Sequence, residues 1–572
     1  MSFSNSADVH CYIDIIPFED KTYSFSTDTT TTNNYSGVLE CVVSKNIRNS
    51  GGGTFSIVLS PGGPEGVSAR PTWAEIVTPM SFVTIGMRRG EDAAVVMIGV
   101  VTNVTENQSW GSDRVGRVIS ISGEDFGYFF SSRSYYNLNF LGTPYISALG
   151  PKPLLDYINT NVIYATPSTL GNAWFESIMV PLLNINFTVD KSGTTKTFQE
   201  MMSFFISKYD APVEVPFGTN FLSVQNTWYE KFMSFFPFPY YEFFIMTTPE
   251  SMNIVSGASF GQNVEYENIG YTVDHVAGFD FGNTQAGGST VNMIARLMPL
   301  PYTSTGSNTL NGVPQPQTVN TEYWDALFTP QQRFDYLPPN DTFLDSNIYF
   351  GADEIANFYM IQPLQFASMF GIAPTPTSAT LLMGFGVDVY SINRYGWRPQ
   401  VSVVEWFLTN GPNTPVKDTV SWIELGQQMM GKLTSYYEPT PVMGKATYTH
   451  VIMPSVFPGT KFSYYPFKSE FGGISPYGLD EYEFYVEGVT HTFIFGGRST
   501  TTLNLSRGVP ASIWNDPDLS LSLLTGSLQR AAGQYKIEPP LNKNNTYLQY
   551  SNFANAQAVA NEISKIFMNP KG

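Results

Sequence analysis

The clearest pattern with catalytic potential is a serine between two glycines. Gly257-Ala258-Ser259-Phe260-Gly261 has the GxSxG spacing of a hydrolase nucleophile elbow, and it follows the apolar pair Ile254-Val255. An elbow places its serine on a sharp turn between a strand and a helix, where the hydroxyl can attack a carbonyl carbon. Residues Gln262 to Gly270 are polar and lack the apolar stripe of a helix. The pattern therefore falls short of a hydrolase site, and we predict no catalytic residue.

Two other patterns could bind phosphate or cleave a sugar. Gly426 to Lys432 has the spacing of a phosphate-binding loop, but Leu433 occupies the Ser/Thr position that would hold magnesium. Asp353-Glu354 and Asp480-Glu481 are adjacent carboxylates in strand-like surroundings. Neighbouring side chains of a strand point to opposite faces, so neither pair could converge on one glycosidic bond. We predict no cofactor-binding residue from these patterns.

The histidines and cysteines lack the spacing of a metal site. They are scattered along the chain, at His10, His275, His450, His491, Cys11 and Cys41. No CxxC or HxxxH pattern occurs, and two thiols do not make the disulfide framework of a small secreted domain. We predict structural roles for these six side chains, and no metal ligand among them.

The composition favours contacts with other proteins. Charged residues make up 14% of the chain, against about 25% in ordinary soluble domains, whereas aromatic residues reach 15%. Aromatic side chains anchor interfaces whose centres are depleted of charge, although a large aromatic core would leave the same signature. The net charge of −18 opposes a surface that grips phosphates. It is compatible with a surface over which DNA slides without sticking.

A chain of 572 residues is too long for one core, so we predict three or four domains. No apolar run of membrane-spanning length occurs, and Met1 to Asp20 lacks the basic-then-apolar order of a secretion signal. We therefore expect no membrane segment, and a protein that is made and assembled inside a cell.

Hydrophobic alternation with a period of two dominates the first 130 residues. Alternating stretches run over Phe55–Leu59, Val83–Met87, Val95–Val104 and Val115–Ser122. Glycine-rich or polar segments separate them, the last at Asn107 to Ser112. This pattern predicts antiparallel strands joined by hairpins, closed into a first small β-barrel over residues 1–130.

The rest of the chain divides by composition and periodicity into five regions. We predict an α+β domain over 131–250, a loop-rich insertion with short strands over 251–345, an α+β connecting domain over 346–440, a second β-barrel over 441–510 and a C-terminal extension over 511–572. Helical spacing of apolar residues predicts helices at Thr197–Tyr209, Thr227–Phe235, Thr419–Ser435 and Ser551–Met568, and Tyr241–Met246 is predicted to be a strand. The predicted fold class is a β-rich α+β multidomain chain with two antiparallel β-barrels.

Two hairpin segments far apart in the chain resemble each other. Met97 to Asn103 reads MIGVVTN and is followed by a strand over Arg114 to Ile121. Tyr485 to His491 reads YVEGVTH and is followed by a strand over Arg498 to Leu505. A glycine within a strand usually marks a bulge or a bend, as barrel corners need. The likeness favours two related barrels, although chance similarity between two hairpins stays open.

These segments resemble the phage baseplate hub proteins, which include late-control protein D-like proteins and are similar to the base of type VI secretion spikes. The stretches that resemble the first barrel of this family are Thr54–Leu59, Trp73, Pro79–Arg88, Val96–Val104 and Arg117–Phe126. Tyr485–Gly508 resembles the end of its second barrel, and Tyr349–Met360 with Tyr395-Gly396 and Arg398-Pro399 resembles the segment between them. Residues 251–345 and 511–572 have no counterpart.

The resemblance implies a homotrimer in the virion tail, assembled in the host cytoplasm. Three chains with two tail-tube-like barrels each would form a pseudo-six-fold ring that joins the tail tube or a distal tail protein to the central spike. A tape-measure protein is a further partner that it leaves open, and DNA would pass through the lumen. A virion-associated hydrolase, motivated by Ser259, and a carbohydrate-binding tail module remain the alternatives.

Overall fold

A computed structural model describes the chain in segments that together form one large sheet and several small ones. The described residues are 9–17, 21–31, 33–47, 52–66, 70–110, 115–125, 127–128, 134–135, 186–188, 195–197, 219–220, 241–249, 264–282, 289–297, 302–304, 317–319, 343–349, 355–363, 385–388, 395–404, 444–464, 482–510 and 547–549. The predicted helices lie outside these residues, except that Thr197 ends a short strand.

Seven strands and one helical turn make up the first unit. They are β1 (Val9–Ile16), β2 (Tyr23–Ser26), β3 (Val38–Asn46), β4 (Thr54–Leu59), α1 (Trp73–Ile76), β5 (Phe82–Arg89), β6 (Asp92–Trp110) and β7 (Val115–Asp125). The alternation of Phe55, Ile57 and Leu59 with polar neighbours produces the strand, because it buries one face of β4 while the other stays accessible. Strand β6 continues to Trp110, so the loop predicted at Asn107 to Ser112 is shorter than expected.

The middle of the chain forms short strands and one three-stranded sheet. Its strands are β8 (Ser134–Tyr135), β9 (Asn186–Thr188), β10 (Thr195–Thr197), β11 (Thr219–Asn220), β12 (Tyr241–Pro249), β13 (Val264–Val273), β14 (His275–Val276), β15 (Phe279–Asp280), β16 (Ser289–Leu297), β17 (Tyr302–Ser304) and β18 (Gln317–Val319). Strand β16 pairs with β12 and β13. The region 251–345 therefore contains longer strands than its turn-rich composition predicts, while the strand predicted at Tyr241 to Met246 is confirmed.

The last part of the chain contains the second unit and a small mixed sheet. The strands are β19 (Phe343–Tyr349), β20 (Phe358–Pro363), β21 (Phe385–Asp388), β22 (Pro399–Val404), β23 (Gly444–Val451), β24 (Lys461–Tyr464), β25 (Tyr482–Ile494), β26 (Thr500–Pro510) and β27 (Tyr547–Gln549). In the mixed sheet β20 pairs in parallel with β22, and the buried Asn357 side chain bonds both Gly396 and Arg398 nearby.

Strands of both units belong to one antiparallel sheet of twelve strands. Its order is β19-β23-β26-β25-β3-β4-β7-β6-β5-β1-β2, with β24 paired to β25 beside this path. The described strands leave β19 and β2 at opposite ends, so the sheet is open. The chain is thus strongly β-rich, as predicted, and the two closed barrels of the sequence prediction are not seen as such.

Each unit has its own apolar core on one side of this sheet. In the first unit, Cys11, Val43, Ile57 and Ile121 are among the fully or almost fully buried side chains, and Trp73 of α1 packs beside them. The second core is built from Tyr448, Phe462, Phe484, Val489, Leu503 and their neighbours. Ile452 and Phe493 of the second unit pack into the first core, which ties the two units together.

Candidate functional site

The join between the two units is the most informative local geometry. Strand β25 pairs antiparallel with β3 from Gly488 opposite Asn46 to Ile494 opposite Glu40. A backbone hydrogen bond from Ile47 to Glu487 of 2.9 Å extends the pairing at one end, and one from Phe495 to Leu39 of 2.9 Å extends it at the other. The two halves of the chain are therefore joined by a continuous strand ladder and not by side-chain contacts alone.

The two units repeat the same strand order. The first unit runs β3-β4-β7-β6, and the second runs β19-β23-β26-β25. A fifth strand covers the first part of the last strand in both, because β5 pairs with Asp92 to Val100 of β6 and β24 pairs with Tyr482 to Tyr485 of β25. The two hairpins singled out in the sequence, β6–β7 and β25–β26, occupy corresponding places. The units are thus arranged head to tail within one sheet.

The sheet also has two strand edges without a pairing partner among the described strands. Beyond Val100, β6 pairs only with β7, so its other edge is open from Val101 to Trp110. Strand β19 pairs only with β23, on which Asp345, Asn347 and Tyr349 present exposed side chains on one face. In the repeated order, the open part of β6 corresponds to the part of β25 that pairs with β3, and β19 corresponds to β3.

A buried charged group lies where the units meet the middle of the chain. The Lys45 ammonium donates a 3.3 Å hydrogen bond to the carbonyl of Thr247 in β12, and it stands 5.8 Å from the centre of the Phe457 ring. Only 5% of Lys45 is exposed, and burial lowers its pKa because the charged form is poorly solvated there. Lys45 therefore connects the first unit, the second unit and the three-stranded sheet.

Asp125 faces this lysine from the end of β7. Its two carboxylate oxygens accept hydrogen bonds from the backbone amides of Gly53, at 2.6 Å, and Gly127, at 2.8 Å. Burial raises the pKa of Asp125, while the two amides and the positive charge of Lys45 act in the opposite sense. The carboxyl group thus closes the turn before β4 and contributes the counter-charge for Lys45.

Two of the four histidines lie buried in the second unit. His491 Nδ1 is 2.9 Å from the hydroxyl of Thr501, and burial, aided by the nearby Lys45 charge, lowers the pKa of His491 to about 3. His450 Nδ1 lies 2.6 Å from the carbonyl of Val451, and burial lowers the pKa of His450 to about 4. Both residues are neutral core components at neutral pH, in line with the structural role predicted for them.

A short hairpin of the middle region is clamped onto the first unit. Strands β14 and β15 bring Phe279 and Phe281 against Tyr12, with ring centres 4.7 and 5.7 Å away. The backbone amide of Ala277, at the tip of this hairpin, donates a 2.9 Å hydrogen bond to Asp14. Phe281 lies directly over Gly86, where a β-carbon would clash with its ring. The glycine in β5 is therefore needed for this docking.

The residues considered for chemistry in the sequence do not form a site among the described residues. Ser259, Gly426 to Lys432, Asp353-Glu354 and Asp480-Glu481 lie outside them. Cys11 and Cys41 are free thiols in the first core. The described residues hold no group of three or more His, Cys, Asp or Glu side chains that could bind a metal ion. Within the same residues, no helix is long and apolar enough to span a membrane.

Sequence reasoning missed the strands at the start of the chain and the buried Lys45. A signal for the lysine was present, because Cys41, Val43 and Lys45 share one face of an alternating strand. That spacing places the ammonium stem on the core side of β3. The partners of Lys45 come from β7, β12 and the loop before β24, and no local pattern indicates them.

Comparison with protein-family models and with curated proteins finds no match. Solved structures similar to this chain include the 43 kDa tail protein of prophage MuSo2 from Shewanella oneidensis, with 12% identity and a TM-score of 0.35 over 87% of this chain and 98% of that chain. A tail protein from Neisseria meningitidis MC58 has 9% identity and a TM-score of 0.33, over 87% and 96% of the two chains.

A third similar structure is the lidded PdpA–VgrG complex of Francisella. The identity is 8% and the TM-score is 0.35, over 87% of this chain and 52% of that chain. At these identities and TM-scores the likeness is distant and assigns no function to this chain.

Proposed function

We propose that this chain is a structural hub of a phage tail baseplate, and not an enzyme. The observation that supports this function best is the head-to-tail repeat of two four-strand units in one sheet that ends in two open strand edges. A repeat of this kind is suited to ring formation, because the contact that joins the units within a chain can be repeated between chains. The hairpin resemblance to baseplate hubs, noted in the sequence, agrees with this topology.

Ring closure would use the open part of β6 in one copy and β19 in the next. The two strands run antiparallel in the continued sheet order, as β25 and β3 do within one chain. An open strand edge presents unpaired amide and carbonyl groups that a neighbouring chain can pair with. The contact is heterologous, since it joins two different edges, and such contacts form a closed ring when the rotation between copies divides a full turn.

Three copies would present six related units around one axis. That arrangement reconciles a three-fold spike on one side with a six-fold tail tube or distal tail protein on the other. A tape-measure protein could contact the same ring, and DNA would leave through its lumen. The proposed location is the tail baseplate of a virion, after assembly in the host cytoplasm.

Mass and shape of the purified full-length protein test the proposal. Three chains of 63.5 kDa each would scatter light as a particle of about 190 kDa. Class averages from electron microscopy should then show a ring with six similar lobes and a central opening. A stable monomer at micromolar concentration, or a two-fold dimer without an opening, would contradict the proposed ring.

A further inference from the structure

One face of the large sheet is lined by short polar side chains. It is formed by the four strands of each unit and lies opposite the two apolar cores. Cross-strand pairing aligns a first row across seven strands: Asp345, Thr449, Thr502, Thr490, Ser44, Thr54 and Glu124. A second row contains Val451, Thr500, Thr492, Val42, Ser56, Ser122 and Asn103. We call this surface the hydroxyl face.

The hydroxyl groups of this face bond to one another. Ser44 and Thr490 are 3.1 Å apart across the join between the units, and Thr449 and Thr502 are 3.3 Å apart within the second unit. These pairs satisfy part of each other's hydrogen-bonding capacity, so fewer donors are left to point at a passing ligand. The surface is polar and wetted, but it does not offer a converging set of donors.

Neither row contains a lysine or an arginine, and Asp345 and Glu124 give the first row a negative charge at both ends. Nearby cations are occupied or turned away. Lys45 points to the buried side of β3, and Arg117 is paired with Glu106. Proteins that hold nucleic acid set basic side chains and hydrogen-bond donors against phosphates. A duplex would find no such partner in either row.

The bulk of the described chain lies on the other side of the sheet. The two cores, α1, β1, β2, β5 and the docked β14–β15 hairpin all pack against the face opposite the hydroxyl rows. If the sheet closes into a ring, the thick side needs the longer outer circumference and the thin polar side takes the inner one. Sheet curvature in the opposite sense would crowd the two cores against each other at the axis.

We infer that the hydroxyl face is the wall of the ring's channel and that it lets a polyanionic duplex pass without holding it. The inference rests on the proposed ring and assigns to it the surface that faces DNA. A wall of neutral hydroxyls flanked by carboxylates has low friction for DNA, because there are no ion pairs to break as each phosphate moves past.

Cysteine accessibility in the assembled full-length protein tests the position of the face. The native thiols of Cys11 and Cys41 are fully buried, so they contribute little background. We would compare Ser56→Cys and Thr502→Cys with Glu65→Cys, an exposed position on the loop after β4. A small maleimide should label all three, whereas a maleimide attached to a folded protein wider than duplex DNA should label only the Glu65→Cys ring.

Equal labelling of all three positions by the wide reagent, in a particle that sizing shows to be a ring, would overturn the channel assignment alone. A particle that light scattering shows to be a monomer would overturn the ring and the channel together. The two failures are therefore distinguishable.

Retention of linear duplex DNA tests the chemistry of the wall. The double substitution Ser56→Arg/Thr502→Arg adds two positive charges per chain to the face. Thr22→Arg/Thr29→Arg adds the same charge at exposed positions outside it. At about 150 mM salt we expect no measurable DNA retention by the wild-type ring or the control, and at least about tenfold tighter binding by the face variant, falling steeply with salt. DNA retention by the wild type, or equal retention by both variants, would overturn the inference.

Discussion

His491 and Lys45 lie within 446 residues of sequence of each other, yet both belong to the join between the units. His491 contacts Thr501 inside the second unit, and the charge of Lys45 reaches it from β3. Polar groups buried in such a join are stable only when they are hydrogen-bonded and in the right charge state. The protonation of single residues should therefore be visible in the stability of the whole sheet.

We predict that acid weakens the fold partly through His491. The pKa of this group is about 3 in the folded chain and 6.5 when unperturbed, so its contribution is complete above pH 6.5 and is lost as the pH falls towards 3. Between pH 6.5 and 5 the loss is about 2 kcal/mol, from about 1.4 kcal/mol per pH unit. Urea unfolding at the two pH values should show a drop that is smaller by this amount in His491→Asn.

The exposed His275 offers the matched control. His275→Asn should leave the acid-induced loss of stability as it is in the wild type. An undiminished loss in His491→Asn would show that His491 does not carry this pH dependence.

A second prediction concerns the close approach of Phe281 to Gly86. Gly86→Ala should destabilise the protein by about 1–3 kcal/mol, because the new methyl group overlaps the ring in a packed contact. Phe281→Ala alone should cost about 3–5 kcal/mol, since the ring is completely buried. In the Phe281→Ala background Gly86→Ala should cost almost nothing. Additive effects in thermal or urea unfolding would contradict the docking of the hairpin.

At the scale of elements, the open edges of β6 and β19 are the features that a soluble protein normally protects. Charged side chains, bulges or a covering loop usually prevent edge-to-edge association. Here β6 presents Asn103, Thr105 and Asn107 with polar, exposed side chains, but its backbone groups beyond Val100 have no partner on one side among the described strands. We therefore expect assembly to depend on backbone groups rather than on particular side chains.

Adjacent prolines in β6 test this expectation. Successive amides of a strand point to opposite edges, so Thr105→Pro and Glu106→Pro remove hydrogen bonds on different sides. One of the two should weaken the pairing with β7 and lower the melting temperature. The other should leave the monomer folded and shift the assembled particle towards monomer in light scattering. A ring that survives both substitutions would show that this edge is not an assembly contact.

The elements of the large sheet were predictable where alternation was strong. Phe55 to Leu59 and Tyr482 to Val486 have the period-two pattern, and both lie in strands of the structure. The join of β25 to β3 was not predictable, because alternation says which face of a strand is buried but not which strand is its neighbour. The resemblance between the two hairpins indicated related units, yet the open edges follow only from the complete strand order. The domain boundaries drawn at 130, 250, 345, 440 and 510 remain predictions.

At the scale of the whole molecule, the net charge of −18 per chain sets the response of assembly to salt. Like-charged copies repel one another, and salt screens that repulsion over about 10 Å at 0.1 M. We predict that raising the salt concentration from about 20 to about 200 mM lowers the dissociation constant of the ring. Sedimentation velocity over a concentration series would measure it. A ring that dissociates as salt rises would show that ion pairs between copies hold it together.

The pairing of β25 with β3 also has a consequence for biosynthesis. The partners Ser44 and Thr490 are 446 residues apart in the chain. At about 5–20 residues per second, a ribosome needs roughly 20–90 s to make the second strand after the first. During that interval the nascent first unit exposes the edge of β3, which a neighbouring nascent chain on the same messenger could capture. Faithful production of this protein therefore depends on how polysome spacing and chaperones keep β3 vacant until its own β25 emerges.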